Sequence, residues 1–274
     1  MTTDTKLLLT DLDETLLTSK KEVSSADRAG IEKILAKGHK FAIATGRPFY
    51  SAKLVAKELG LLRPGVYIIA SNGGVIYDCE SDKILYKETV PLSLVDYMFK
   101  EAQKSRLHIH TYTDTHVVSL NKTPELLKYT ETIKMPYKIL DKIPEELPYE
   151  PPKMIVMTFK ENSREILTEF RSKVAPEIEG RLTPIFSNSS LLEFLPPAAS
   201  KGCGLVKLCS LLDIPTSSSI ACGDEENDIS MIKAAGVGVA MKNAREEIKK
   251  YADYVTKHTN NEDGISEVIK TFIL

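Results

Sequence analysis

The sequence carries almost no excess of charge. Its 36 Lys and Arg residues face 38 Asp and Glu, a formal net charge of −2. Neither a nucleic acid nor an anionic membrane is therefore an implied partner. No apolar run approaches the roughly 18 residues needed to span a bilayer as a helix. No basic stretch precedes the short run Leu7, Leu8, Leu9, so a cytoplasmic location is the expectation. Cysteines are few: Cys79, Cys203, Cys209 and Cys222 show no C-x-x-C spacing. Each stands among apolar or small residues, the pattern of buried free thiols in a reducing compartment rather than of disulfides or zinc ligands. Internal repeats, low-complexity tracts and a P-loop are absent. Gly236 and Gly238 precede no helix start and have no third glycine, which is weak ground for a dinucleotide site.

What is present is organised around residues 6–17, KLLLTDLDETLL. A short apolar run bounded by polar residues reads as a buried strand of a parallel sheet. Ligands of open α/β sheets bind at the carboxyl ends of strands, which is where Asp11 and Asp13 fall, with Thr15 close behind. Two carboxylates this close repel each other unless a cation lies between them or one is protonated. A divalent ion held by oxygen fits, although a solvated acidic turn explains Asp-x-Asp alone equally well.

Further along, residues 24–37 read as a helix with Ser24 as N-cap and Gly38 as its stop. Residues 40–45, KFAIAT, read as a second strand ending in Thr45-Gly46-Arg47-Pro48, where a hydroxyl followed by Gly suits close approach to an anion. Residues 66–70 form a third strand ending in Ser71-Asn72-Gly73-Gly74, a strong hairpin signal. Three βα-type units in succession imply a doubly wound sheet. The rhythm changes over residues 85–191, which hold equal numbers of acidic and basic side chains and no comparable acidic strand end. This stretch reads as an inserted α+β domain between core segments 1–84 and 192–274. Within it, residues 107–120 alternate with period two, as a half-exposed strand pair should. His108, His110 and His116 fall there and read as a solvated face rather than a metal site, because no further ligand completes a set.

After the insert the first rhythm resumes. Ser200 is a natural N-cap for a helix that begins with Lys201. A cation at a helix start opposes the dipole, so either the side chain is simply exposed or an anion lies ahead of it. Residues 219–223 form another strand, ending in Asp224-Glu225-Glu226-Asn227-Asp228. Acidic strand ends, a hydroxyl and a lysine are the parts that phosphoryl transfer requires.

The ordered segments DLDETLL, ATGRP, SNGG, EFLPPAASKG, GDEENDISM, AMKNAREEIKKYADYVT and NNEDGI resemble the haloacid dehalogenase-like superfamily, in its Cof-type sugar-phosphatase branch. The resemblance implies an α/β, Rossmann-like core with a large inserted cap, and a Mg²⁺-dependent phosphatase of small phosphorylated metabolites acting through an aspartyl-phosphate. It implies Asp11 as nucleophile. Asp11, Asp224 and the backbone carbonyl of Asp13 would bind Mg²⁺, and Asp13 would be the general acid and base. Thr45, Gly46, Asn72, Lys201 and Asn227 would contact phosphate or substrate, and Asn227 and Asp228 would support the metal. Glu14 departs from the Gly usual in the family, which leaves the shape and charge of the turn after Asp13 open. Two alternatives remain at this point: a phosphomutase resembling phosphomannomutase, and a phosphoryl-receiving switch.

Overall fold

A computed structural model describes residues 5–274. The chain divides into two compact units, one of residues 5–46, 52–86 and 200–274, the other of residues 47–51 and 87–199. In chain order the first unit opens with β1 (Leu7–Thr10), α1 (Ser25–Ala36) and β2 (Lys40–Ala44). It continues through α2 (Phe49–Glu58), whose start groups with the second unit, to β3 (Val66–Ala70), β4 (Val75–Asp78) and β5 (Lys83–Lys87). The second unit comprises α3 (Leu92–Lys104), β6 (His108–Tyr112), β7 (Val117–Ser119), α4 (Pro124–Ile133), β8 (Tyr137–Ile139), β9 (Met154–Met157), α5 (Ser163–Ile178), β10 (Thr183–Asn188) and β11 (Leu191–Leu195). The first unit resumes with α6 (Lys201–Leu211), β12 (Ser219–Gly223), α7 (Ile229–Ala234), β13 (Val237–Ala240), α8 (Glu246–Lys249), β14 (Tyr254–Val255) and α9 (Gly264–Phe272).

The first unit is an α/β doubly wound sheet in the order β14-β13-β12-β1-β2-β3-β4-β5. Its strands from β14 to β3 pair in parallel, and β3 turns back on β4. Burial on both faces explains why these strands are continuous apolar runs rather than alternating ones. One face packs Leu7, Leu9, Ala42, Ala44, Ile69 and Ala221 against Leu205 and Leu208 of α6 and Met231 of α7. Chain order reverses between β1 and β12, the switch point at which such sheets bind ligands. Ser24 caps α1, its hydroxyl accepting from Asp27 N at 3.1 Å.

The second unit holds a mixed sheet, β10-β11-β9-β6-β7-β8. One face packs Met98, Phe99, Leu167 and Phe170 of α3 and α5 against Ile109, Val156 and Phe194. Three expectations need correction here. The strand Leu191–Leu195 pairs with β9 and β10, so the return to the first unit falls at Ala199–Ser200 rather than near residue 192. His108 and His110 are buried, not solvated: α4 covers their face of the sheet, and Tyr129 stacks on His110 at 4.5 Å. Their period-two pattern belongs to a strand with polar residues on a buried face, joined in a hydrogen-bonded row from His108 through His110 to Tyr112. Cys203 is exposed on α6, whereas the other three cysteines are buried, and all four are free.

The β3–β4 connection is tight. Ser71, Asn72 and Gly73 all take positive φ, and a Cβ on Gly73 would overlap the Ser200 carbonyl. Gly73→Ala should therefore lower unfolding stability by about 2 kcal/mol or more through combined strain and overlap. A denaturant midpoint equal to that of the parent would contradict this.

Candidate active site

Asp11 leaves β1 with its backbone N–H donating to Cys222 O of β12 at 2.9 Å. Its carboxylate thus stands in the crevice between the two central strands. Lys201, 1% exposed, reaches it from the first residue of α6: Nζ is 2.6 Å from Asp11 Oδ1 and 2.6 Å from Asp228 Oδ1. The anions that explain a lysine at a helix start are these two carboxylates. The other oxygen of Asp228 accepts from the backbone N–H groups of Asp224 at 2.9 Å and Glu225 at 3.0 Å. Asp228 fits beneath the end of β12 because residue 223 is Gly, where any Cβ would overlap the Asp228 side chain. Asp224 completes the cluster and accepts from Thr15 Oγ1 at 2.6 Å. Carboxylate oxygens of Asp11, Asp224 and Asp228 lie within 4.8 Å of one another.

The remaining residues expected at the site occupy neighbouring strand ends. Thr45, at the end of β2, is buried and donates its N–H to Ile69 O at 2.8 Å, while its carbonyl accepts from Asn72 N at 3.0 Å. Asn72 Oδ1 accepts from Asn227 Nδ2 at 3.0 Å. A Cβ on Gly46 would come within 3.1 Å of Asn72 Oδ1, so the glycine permits this approach. Asp13 is different. Its carboxylate is 36% exposed, lies 3.1 Å from Lys21 Nζ, and is not part of the acidic cluster. Thr15 and Asp228 hold larger structural roles than sequence spacing suggested. Lys21 carried no signal at all, because its meeting with Asp13 depends on the turn between them.

Charge explains the cluster's behaviour. Three ionised carboxylates against one ammonium leave two uncompensated negative charges in a buried place. Burial, with Asp228 and Asp224 adding to it against the pull of Lys201, pushes Asp11 up to about 8. Burial likewise pushes Asp224 up to about 7, against the Thr15 hydrogen bond. Burial alone would lower Lys201, but Asp11 and Asp228 overcome it and hold the ammonium above its ordinary value. A divalent cation supplies the missing two charges, and an all-oxygen donor set suits a hard ion. The residues present fit Mg²⁺.

A doubly wound α/β sheet with carboxylates and a buried lysine at its switch point has the parts that phosphoryl-transfer chemistry requires. Comparison with known proteins agrees. A family model for haloacid dehalogenase-like hydrolases matches residues 8–269. The Bacillus subtilis 5-amino-6-(5-phospho-D-ribitylamino)uracil phosphatase YcsE is 28% identical over 271 residues, covering 99% of this chain and 97% of its own. A haloacid dehalogenase-like hydrolase from Bacteroides thetaiotaomicron superposes with a TM-score of 0.87 at 33% identity, covering 97% of this chain and 98% of that one. A sugar phosphatase of subclass IIB gives 0.81 at 25% identity, covering 98% of this chain and 99% of that one. The chain belongs to the haloacid dehalogenase-like hydrolases, and the relatives and structures it resembles include phosphatases.

Raised carboxyl pKa values have a direct consequence for stability. The folded state keeps protons that the unfolded chain releases near 3.8, so this contribution is full below about pH 4 and is lost as pH rises through about 7 to 8. In chelator, wild type should lose stability relative to Asp224→Asn between those pH values, and Mg²⁺ should reverse the loss. A wild-type-minus-variant difference that stays constant with pH in thermal or urea unfolding would contradict the charge argument.

Proposed function

We propose that the chain is a Mg²⁺-dependent phosphatase of small phosphorylated metabolites, sugar and polyol phosphates foremost, and that it works through an aspartyl-phosphate on Asp11. The observation carrying this reading is the buried set Lys201, Asp11, Asp228 and Asp224, with its two uncompensated charges. The substrate class is supported by the subclass IIB sugar phosphatase and by the phospho-ribityl substrate in the name of the B. subtilis relative.

Asp11 and Asp224 would hold the ion, together with the Asp13 backbone carbonyl or, by proximity, Asp228. When bound, the ion neutralises phosphoryl oxygens and the carboxylates around them. To Lys201, Thr45 with the Gly46 backbone, Asn72 and Asn227 we assign the remaining phosphoryl oxygens, a reading supported by the bonds that join Asn72 to Thr45 and Asn227. A carboxylate oxygen of Asp11 attacks phosphorus. The ester bond breaks, and the leaving oxygen takes a proton from the Asp13 carboxyl. Asp13, now a carboxylate, takes a proton from water as that water attacks the phosphorus of the aspartyl-phosphate. Phosphate departs, and Asp11 and the Asp13 carboxyl are regenerated. An exposed Asp13 outside the acidic cluster suits this role, since the leaving oxygen stands on the side of phosphorus opposite the nucleophile. The inserted unit, residues 87–199, supplies none of these groups, and we assign it the selection among esters through their non-reacting parts.

Phosphate release from a panel of hexose, pentose and polyol phosphates tests the reading. Many turnovers per chain are expected with Mg²⁺ and none after exhaustive chelation. Asp11→Asn should abolish turnover in a folded protein. Lys201→Met should cost roughly 2–4 kcal/mol of transition-state stabilisation, the range for one lost preorganised partner. A folded Asp11→Asn protein with near-normal turnover, or full activity in chelator, would overturn it.

A further inference from the structure

Two segments of the family resemblance contribute none of the chemical groups, AMKNA at 240–244 and NNEDGI at 260–265. In the structure both converge on the turn that follows Asp11. Asn243 Nδ2 donates to Glu14 O at 2.8 Å. Asn260 Nδ2 donates to Leu17 O at 2.8 Å and to the Glu14 carboxylate at 3.3 Å. Asn260 is itself fixed, because its backbone N–H donates to Asn243 Oδ1 at 3.1 Å and the residue is 2% exposed. Asn261 brackets Ser19 with two bonds of 3.0 Å, accepting from its N–H and donating to its hydroxyl.

This turn needs holding. Glu14 has φ +58 and Lys21 φ +61, left-handed conformations that cost a side-chain-bearing residue about 1 kcal/mol or more each. The first of these is the position where the family usually has Gly. Here the Glu side chain gives something in return: its carboxylate lies 3.4 Å from Lys21 Nζ, and the same ammonium lies 3.1 Å from Asp13 Oδ1. A continuous polar path therefore runs from Asn243 through Asn260, Glu14 and Lys21 to Asp13.

We propose that Asn243, Asn260 and Glu14 are positioning residues that hold the turn after Asp11 so that Asp13 faces the leaving group. The proposal rests on the acid–base reading of Asp13 given above. None of the three belongs to the acidic cluster. The turn they hold also carries Thr15, which donates to Asp224, so the comparison of leaving groups isolates the part of their effect that passes through the Asp13 carboxyl. Small displacements of an acid–base group are costly, because a misplacement of about 1 Å can reduce a rate by 10²-fold. The consequence is selective. An alkyl ester needs a proton on its leaving oxygen, whereas a nitrophenolate leaves without one. Both need Asp13 again when water attacks the aspartyl-phosphate.

The test compares kcat/KM for an alkyl phosphate and for p-nitrophenyl phosphate in Asn260→Ala, Asn243→Ala and Glu14→Gly. Asn243 is exposed, so its variant carries the test even where Asn260→Ala fails to fold. Expected is a loss of about tenfold or more on the alkyl ester and of less than about threefold on the aryl ester, part of the 10²–10⁴ attributed to positioned acid–base groups. The aryl ester should also show a burst of nitrophenolate close to one equivalent of enzyme, as aspartyl-phosphate accumulates. Equal losses on both esters, or no loss, would overturn the clamp. Asp13→Asn is the control: a leaving-group split there without one in the clamp variants removes the clamp alone. No split in Asp13→Asn removes the acid–base reading and the clamp with it.

Discussion

One buried ammonium among three carboxylates is the constraint on which the rest of this structure depends. Lys201 is inaccessible to water and bonded at 2.6 Å to both Asp11 and Asp228. Removing one partner of such a set would leave an uncompensated buried charge, a loss of about 3–5 kcal/mol. Yet one ammonium does not balance three carboxylates, and the deficit appears as the raised pKa values of Asp11 and Asp224. Below about pH 7 the site retains protons, and a dication lets both carboxyls ionise there. On the proposed reading, an ionised nucleophile facing an anionic substrate would gain from that dependence, because one ion would serve both.

Backbone geometry makes the cluster possible. Asp11 and Asp224 come from adjacent parallel strands at the point where chain order reverses. Lys201 enters from a helix whose first turn packs against the β3–β4 connection, and glycines at 73, 204 and 223 remove the side chains that would keep these pieces apart. Asn227 ties its loop to Asn72 across 155 positions of sequence. The C-terminal loops, through Asn243 and Asn260, reach the first strand's turn from still further away.

Much of this was legible in the sequence. Apolar runs ending in carboxylates marked the strand ends, and the unfavourable Lys201 pointed to an anion ahead of it. Asn72-Gly73 signalled the hairpin that forms between β3 and β4. The less legible parts depend on tertiary packing. The alternation at residues 107–120 correctly indicated strands, but not that α4 would bury the face bearing His108 and His110. The boundary expected at residue 192 falls inside strand Leu191–Leu195, which the adjacent β10 and the more distant β9 together hold in the sheet of the second unit. β8 is short and exposed, and carries no apolar pattern that periodicity could detect. Lys21 and the asparagine clamp escaped notice because each acts through a turn whose left-handed residues are ordinary Glu and Lys.

Calorimetric titration of the metal-free protein with Mg²⁺, repeated near pH 6.5 in buffers of different ionisation enthalpy, tests the charge argument most directly. Because the ion must take Asp11 and Asp224 in their ionised forms, about one to two protons should leave for each ion bound. Release should diminish toward pH 9 and fall in Asp224→Asn. Binding of Mg²⁺ with no proton released near pH 6.5 would contradict the account, as would the absence of binding.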